Sequence, residues 1–382
     1  MRSEGCPLDV KVAKFGGTSL AGGMCFRRAA GLLRSDPTRC VAVVSAPGKR
    51  REDDEKVTDL LMSGRFRRAW ARFDRIAKEL GLPPPDKPDP RLMTHSAYAA
   101  SRGEAMCARL LAAYLGWRFV DAAQVIRFDA KGRLLERETR FRLREAISAG
   151  EGGIVLPGFY GAKPDGEICL FPRGGSDITG ALAAEAIGAQ VYENWTDVCG
   201  VRRADPRVVP DAPRIERMHY DELRALAEAG AQVIHESALD PVQRAGIPMH
   251  IRNTFAPEAG GTCVTSEAGG PGLTALAGRG GRYLLRLKAG ARVPRCELIG
   301  QEGGDLICLT DEALPGAQAG WARLTLIGRL SPADFSQVFA RLAKAGIVPR
   351  LFSGAQDASA LRLALPEAEL HAAITALAAG DL

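Results

Sequence analysis

Two short stretches combine a cation with backbone that carries no side chain. Lys14-Phe15-Gly16-Gly17-Thr18-Ser19 follows a strand-like run and offers an ammonium group beside two glycines, whose N–H groups can approach an anion closely. Phe171-Pro172-Arg173-Gly174-Gly175-Ser176-Asp177 repeats the arrangement with a guanidinium in place of the ammonium. Phosphate handling is the chemistry that both suggest. Each also has a plainer reading. Gly-Gly after a strand makes a tight turn, and Ser176 or Asp177 stands where a helix begins and could cap it, a role that leaves Arg173 unexplained. Other signatures are missing: there is no GxxxxGK[ST], no GxGxxG opening a helix after a strand, and no GxSxG; His235-Glu236 lacks the second histidine of HExxH. The five histidines are dispersed and suggest no histidine-based catalysis.

The surrounding pattern must position these groups. Val10 to Phe15, Cys40 to Val44, Gly153 to Leu156 and Gln190 to Trp195 read as short strands, with helical stretches between them such as Glu104 to Leu115 and Ile178 to Ile187. Such alternation over the first ~265 residues implies a parallel sheet covered by helices on both faces. The proline-rich segment Leu82 to Pro90 reads as a stiff surface connection. Composition shifts at Glu267-Ala268-Gly269-Gly270-Pro271-Gly272. Beyond it come a strand at Ala322 to Ile327, a helix capped by Ser331 with Pro332 in its first turn and Gly346 at its end, strands at Ile347 to Phe352 and Ala358 to Leu365, and a helix opening at Pro366. That βαββα order makes a small two-layer α+β region. Residues 273 to 320 hold strand-like pieces at Tyr283 to Leu287 and Asp305 to Leu309 but no amphipathic helix.

The chain has 382 residues, 46% hydrophobic and 25% charged, which excludes a disordered or fibrous protein and suggests two or three domains. The net charge of +6 is dispersed; even Lys49 to Lys56 balances four basic with four acidic residues. Nucleic acid is therefore not an expected partner. No apolar run reaches the ~20 residues of a membrane helix, and the first ten residues lack the apolar core of a secretory signal. Nine cysteines, no two within four positions, offer neither a CxxC zinc site nor a regular disulfide framework, which suits free thiols in a reducing cytoplasm.

Taken together, eight segments resemble the aspartokinases, a branch of the amino acid kinase superfamily. In chain order they are the Lys14 to Ser19 motif, Val43-Val44-Ser45-Ala46, Lys56-Val57-Thr58-Asp59-Leu60-Leu61, Arg102-Gly103-Glu104, Pro157-Gly158-Phe159, Arg173 to Asp177, Thr196-Asp197-Val198 and Ala204-Asp205-Pro206-Arg207. The resemblance implies a three-layer αβα fold with a mainly parallel central sheet over residues 8–266. It also implies transfer of the ATP γ-phosphoryl group to the β-carboxylate of L-aspartate, giving 4-phospho-L-aspartate, the first step toward lysine, threonine and methionine. A carboxylate is ionised at pH 7 and needs no general base, so the obstacle is bringing two anions together.

By similarity, Lys14 neutralises charge on the transferring phosphoryl with the amides of Gly16 and Gly17 beside it, and Asp177 orients Lys14 or those donors. Arg173 pairs with the substrate α-carboxylate and Glu104 with its ammonium group, while Ser45, Thr58, Gly175 and Ser176 complete the substrate pocket. Ser19, Thr196, Asp197 and Arg207 join the nucleotide site, and Mg²⁺ arrives with ATP, leaving no metal ligands to find in the chain. The pattern departs from the family around the nucleotide. Gln232 stands for a lysine that faces ATP phosphates, Glu236 for a proline, Cys199 for an aspartate and Arg202 for an aromatic residue. Arg202 or Arg203 could supply the missing cation. A related carboxylate kinase acting on another amino acid, or a non-catalytic ligand-binding homologue, are the alternative readings.

Residues 272–382 resemble an ACT-type regulatory region, with a reduced first module at about 272–320 and a clearer second one at about 321–380. The resemblance implies a feedback amino acid, lysine or threonine, and a homodimer.

Overall fold

The computed structural model describes residues 9–172, 174–231, 234–267, 270–353 and 360–379. Arg173 and Gln232 lie outside the described residues, as does the start of the strand read at Ala358. In chain order the elements are β1 (Lys11–Phe15), α1 (Gly23–Arg34), β2 (Val41–Val44), α2 (Val57–Met62), α3 (Phe66–Leu80), α4 (Ser96–Leu115), β3 (Arg118–Phe119), α5 (Ala122–Val125) and α6 (Glu136–Ser148). They continue with β4 (Ile154–Pro157), β5 (Tyr160–Ala162), β6 (Ile168–Leu170), α7 (Gly175–Ile187), β7 (Val191–Thr196), β8 (Arg217–His219), α8 (Tyr220–Glu228), α9 (Leu239–Arg244), β9 (Met249–Asn253) and β10 (Thr262–Thr265). Last come β11 (Gly272–Leu287), β12 (Leu298–Glu302), β13 (Asp305–Thr310), β14 (Gln318–Arg329), α10 (Pro332–Lys344), β15 (Leu351–Ser353), β16 (Ala360–Pro366) and α11 (Leu370–Ala378).

Two compact units divide the chain: Met1–Gly200 with Ser237–Ser266, and Val201–Glu236 with Glu267–Leu382. The sequence reading ran the first domain without a break from 8 to 266, whereas compactness groups Val201–Glu236 with the C-terminal part. That excursion is legible only from contacts.

In the first unit the sheet order is β3-β4-β2-β1-β7-β9-β10. Pairing is parallel from β3 through β9, and only β10 runs antiparallel to its neighbour. The β2 run Val41-Ala42-Val43-Val44 is wholly buried, as expected for a parallel strand covered on both faces. α3 buries Ala69, Phe73, Ile76, Ala77 and Leu80 on one face, and α4 buries almost its whole length between the sheet and its neighbours. α4 starts at Ser96, eight residues before the stretch read from sequence, because Ala99 and Ala100 already pack inward. The segment after α3, residues 82–90, carries neither helix nor strand.

The second unit is built on an antiparallel sheet in the order β12-β13-β11-β14-β16-β15. α10 and α11 add Val338, Leu342, Ile374 and Leu377 to a core with Leu324 and Leu363 from the strands. Ser331 caps α10 in a capping box with Asp334, Pro332 opens its first turn, and Gly346 takes a left-handed φ of 75° at its end. β15 is shorter than the strand read at Ile347 to Phe352, since Ile347 turns into the core directly after the helix and Pro349 offers no N–H to a ladder. Among the described residues between β11 and β14 there is no helix. The eight described cysteines are free thiols, and no helix among the described residues is long and apolar enough to cross a membrane.

Candidate active site

The parallel strands β1, β2, β4 and β7 end together, and their C-terminal loops meet the first turns of helices, which is where open α/β sheets bind ligands. Lys14 comes from β1 and is 8% exposed. Its Nζ lies 2.5 Å from Asp177 Oδ1 and donates to Asn194 Oδ1 at 3.3 Å. Asp177 stands in the first turn of α7, and Asn194 is the register partner of Lys14 on the neighbouring strand β7. A lysine, an aspartate and an amide thus form one buried cluster from three sequence-distant elements.

The capping alternative for Ser176 and Asp177 fails. The N-cap of α7 is Gly174, at φ 75°, and no side chain caps the helix. Its first turn is held close to the β4 loop, since a Cβ on Gly158 would lie 2.6 Å from the Cα of Ser176. Phe159, next in line, has a φ of 79°, the sole positive value of a non-glycine among the described residues. Strain of that kind persists only where surrounding packing enforces it. Gly158→Ala is therefore expected to lower stability by about 1–3 kcal/mol through overpacking against backbone. Urea unfolding at equilibrium checks this; an unchanged midpoint would show that α7 does not need that close approach.

Glu104 approaches from α4 and is 5% exposed. One carboxylate oxygen is buried without a hydrogen-bond partner, while the backbone N–H of Ala46, in the β2 loop, donates to the carboxyl group. Burial raises its pKa to about 8, opposed by that N–H and by the charge of Arg102. The helix is close to the β2 loop at this point because Gly103 has no side chain; a Cβ there would sit 2.8 Å from the Cβ of Ala46. Ser45 and Thr58 are half-buried, in the β2 loop and the first turn of α2 respectively. Arg72 ties these loops together by donating to the carbonyls of Gly48 at 2.8 Å and Ala21 at 3.1 Å, with its charge balanced by Asp54 at 3.0 Å.

Two residues read as phosphate contacts are engaged elsewhere. The Gly16 N–H donates to the carbonyl of Trp195 at 3.0 Å, continuing the β1–β7 ladder. Ser19 is fully buried, its hydroxyl 2.7 Å from that of Thr254. Their glycine-rich context signalled an anion site, but neither group is open to one. Gly17 remains beside the β2 loop, its carbonyl accepting from the Gly48 N–H at 2.8 Å. Thr196 closes β7, with its hydroxyl donating to Asp197 at 3.1 Å.

The sequence profile of the amino acid kinase family matches residues 9–253. The chain belongs to the amino acid kinase family. It is 37% identical to aspartokinase 3 of Bacillus subtilis over 297 residues, 68% of this chain and 64% of that protein. It is 30% identical to lysine-sensitive aspartokinase 3 of Escherichia coli over 301 residues, 68% of this chain and 65% of that one. The matched stretch thus spans just under two thirds of these relatives' length. Among solved structures, an aspartate kinase of Clostridium acetobutylicum superposes with a TM-score of 0.83 at 27% identity, covering 97% of this chain and 99% of that one.

Two of the described nucleotide residues read from sequence belong to the second unit. Arg202 donates to the carbonyl of Ala212 at 2.7 Å. Arg207 is largely exposed and pairs with Asp205 at 2.6 Å, which holds the Asp205 carboxyl below its usual range. Sequence reasoning missed Asn194. Its signal was present: Glu193 and Asn194 are polar residues inside a strand whose neighbours are apolar, and a parallel strand buried on both faces admits such groups only when each has a partner. Glu193 finds Arg39 at 2.7 Å and the Trp195 indole at 3.0 Å, and Asn194 finds Lys14.

Proposed function

We propose that this amino acid kinase transfers the γ-phosphoryl group of MgATP to the β-carboxylate of L-aspartate, giving 4-phospho-L-aspartate and ADP. The observation that carries the reading is the buried Lys14, held by Asp177 and Asn194 beside the uncapped N-terminus of α7. An ammonium group and the positive end of a helix dipole, fixed in place before substrate arrives, suit a transfer between two anions. Asp177 and Asn194 keep Nζ aimed, so little reorganisation accompanies the reaction. The aspartate carboxylate attacks unaided, since it is already ionised.

Glu104 supports an α-amino acid as acceptor. A buried carboxyl with an unsatisfied oxygen is a natural partner for an ammonium group, and Arg173 would take the α-carboxylate. On this reading Ser45, Thr58, Gly175 and Ser176 complete the substrate pocket, and Gly17, Thr196 and Asp197 serve the nucleotide, with Arg202, Arg207 and Gln232 as the further nucleotide residues that the resemblance implies. Arg202→Ala is expected to raise the KM for ATP by about tenfold or more, the loss of one charge-assisted contact. An unchanged KM would remove Arg202 from the site.

The C-terminal antiparallel region takes the ACT-like regulatory role, in a homodimer with lysine as feedback ligand. The lysine sensitivity in the name of the Escherichia coli relative supports this part of the reading. Trapping of the acyl phosphate with hydroxylamine tests the reaction. Hydroxamate formed with L-aspartate and not with L-glutamate is the expected result; product with glutamate instead would move the assignment to another carboxylate kinase.

A further inference from the structure

A cavity of about 710 Å³ lies within the first unit, between one face of α4 and the proline-rich segment at residues 82–88. Tyr98, Arg102, Met106 and Arg109 of α4 line it, with Trp117 and Phe119 beyond the helix. Glu104 is not on this face, so the cavity is separate from the substrate pocket described above. Its volume falls in the range that holds small organic ligands.

Two guanidinium groups in its wall set it apart. Arg102 is 8% exposed and sits over the rings of Tyr98, at 4.3 Å, and Tyr160, at 5.3 Å. Its hydrogen bonds go to the hydroxyl of the adjacent Ser101, at 2.9 and 3.2 Å. Arg109 lies 4.2 Å over the ring of Phe119. Neither forms an ion pair among the described residues; that is ordinary for the exposed Arg109, but the buried Arg102 lacks the carboxylate that normally offsets the cost of desolvating a charge. The ring contacts leave the N–H groups of Arg109, and the Nη1 side of Arg102 away from Ser101, for a planar anion. Much of the remaining wall is proline, methionine, alanine and tryptophan.

We propose that this cavity binds a small organic acid, its carboxylate taken by Arg102 and Arg109 and its aromatic body packed against Trp117, Met106 and the proline segment. The recognition is a charge-assisted, bidentate contact at one end and apolar burial at the other. It does not depend on the kinase reaction assigned to the other face of α4.

The test is a ligand-observed NMR titration of the full chain with 3-phenylpropionate and, in parallel, its neutral analogue 3-phenylpropionamide. The carboxylate is expected to bind with a Kd of about 1 mM or tighter, and the amide about tenfold more weakly. Arg109→Gln, at an exposed position, should weaken the carboxylate about tenfold and leave the amide unchanged; Arg102→Gln should do the same, with circular dichroism reporting that it folds. Binding should persist at saturating L-aspartate. Equal binding of acid and amide, no binding of either at about 10 mM, indifference to Arg109→Gln, or displacement by L-aspartate would each overturn the proposal.

Discussion

Lys14→Met is expected to abolish turnover, with kcat falling by about 10³-fold or more while the KM for aspartate changes little. Loss of one preorganised donor at a developing charge costs about 10²–10³ in rate, and here the donor also carries a full positive charge. The variant has a second effect. Asp177, 13% exposed at its side chain, loses the cation 2.5 Å away and becomes a poorly solvated lone carboxylate. Breaking a buried pair from one side costs several kcal/mol, so reduced stability could masquerade as lost catalysis. The double variant Lys14→Met with Asp177→Asn separates the two. Neutralising both partners should restore the thermal midpoint toward that of the parent and leave activity absent. Recovery of activity in the double variant, or near-normal turnover in the single one, would show that Lys14 only holds α7 in place.

Glu104→Gln is expected to move affinity and stability in opposite directions. With its pKa raised to about 8 by burial, Glu104 is mostly protonated in the free protein at pH 7. An ammonium group needs the carboxylate, so the KM for aspartate should fall about tenfold per pH unit up to about pH 8 and level off above it. Replacement by glutamine keeps an acceptor for the Ala46 N–H but removes the charge. The KM should then rise about 10²-fold and lose its pH dependence over that window.

The stability sign follows from the same shift. The folded protein holds this proton more tightly than the unfolded chain, whose carboxyl titrates near 4.5. The contribution to stability is therefore complete below that value and is lost as pH rises toward 8. Glutamine removes the loss, so the variant should be more stable than the parent by on the order of 4 kcal/mol at pH 8 and indistinguishable from it near pH 4. Paired KM and urea-unfolding series across pH 5–9 check both halves. A flat KM profile in the parent would exclude Glu104 from ammonium recognition, and a destabilised glutamine variant would place its carboxylate in a stabilising role instead.

The pattern of residues along the chain was enough for the fold class and for several of the elements. Alternation of buried strands with helices named the parallel sheet, Ser331 and Pro332 marked the start of α10, and eight motifs in sequence gave the family. These are local properties, set by hydrophobic period, capping and steric freedom over a few residues, and they survive whatever the rest of the chain does. The missing helix between β11 and β14 was legible for the same reason, since no amphipathic period is written there.

Contacts between distant residues lay beyond such reading. The resemblance, and not spacing, pointed Asp177 at Lys14 across 163 positions; Asn194, 180 positions away, was not foreseen, since nothing near Lys14 indicates which amide will neighbour it. Gly16 and Ser19 sit in a motif that advertises phosphate, yet the Trp195 carbonyl takes the Gly16 N–H and the Ser19 hydroxyl is paired with that of Thr254, a competition settled only when β7 and β9 pair into the sheet. The excursion of Val201–Glu236 into the second unit, the neutral state of Glu104 and the cavity beside Arg102 have the same origin. Desolvation and partnership depend on what the other segments bring within a few ångströms, and that is a property of packing, not of spacing along the chain. The amino-acid sequence determined the fold class, the family and the segments in which to look for chemistry; the tertiary structure decided which of those groups are paired and which are open to a ligand.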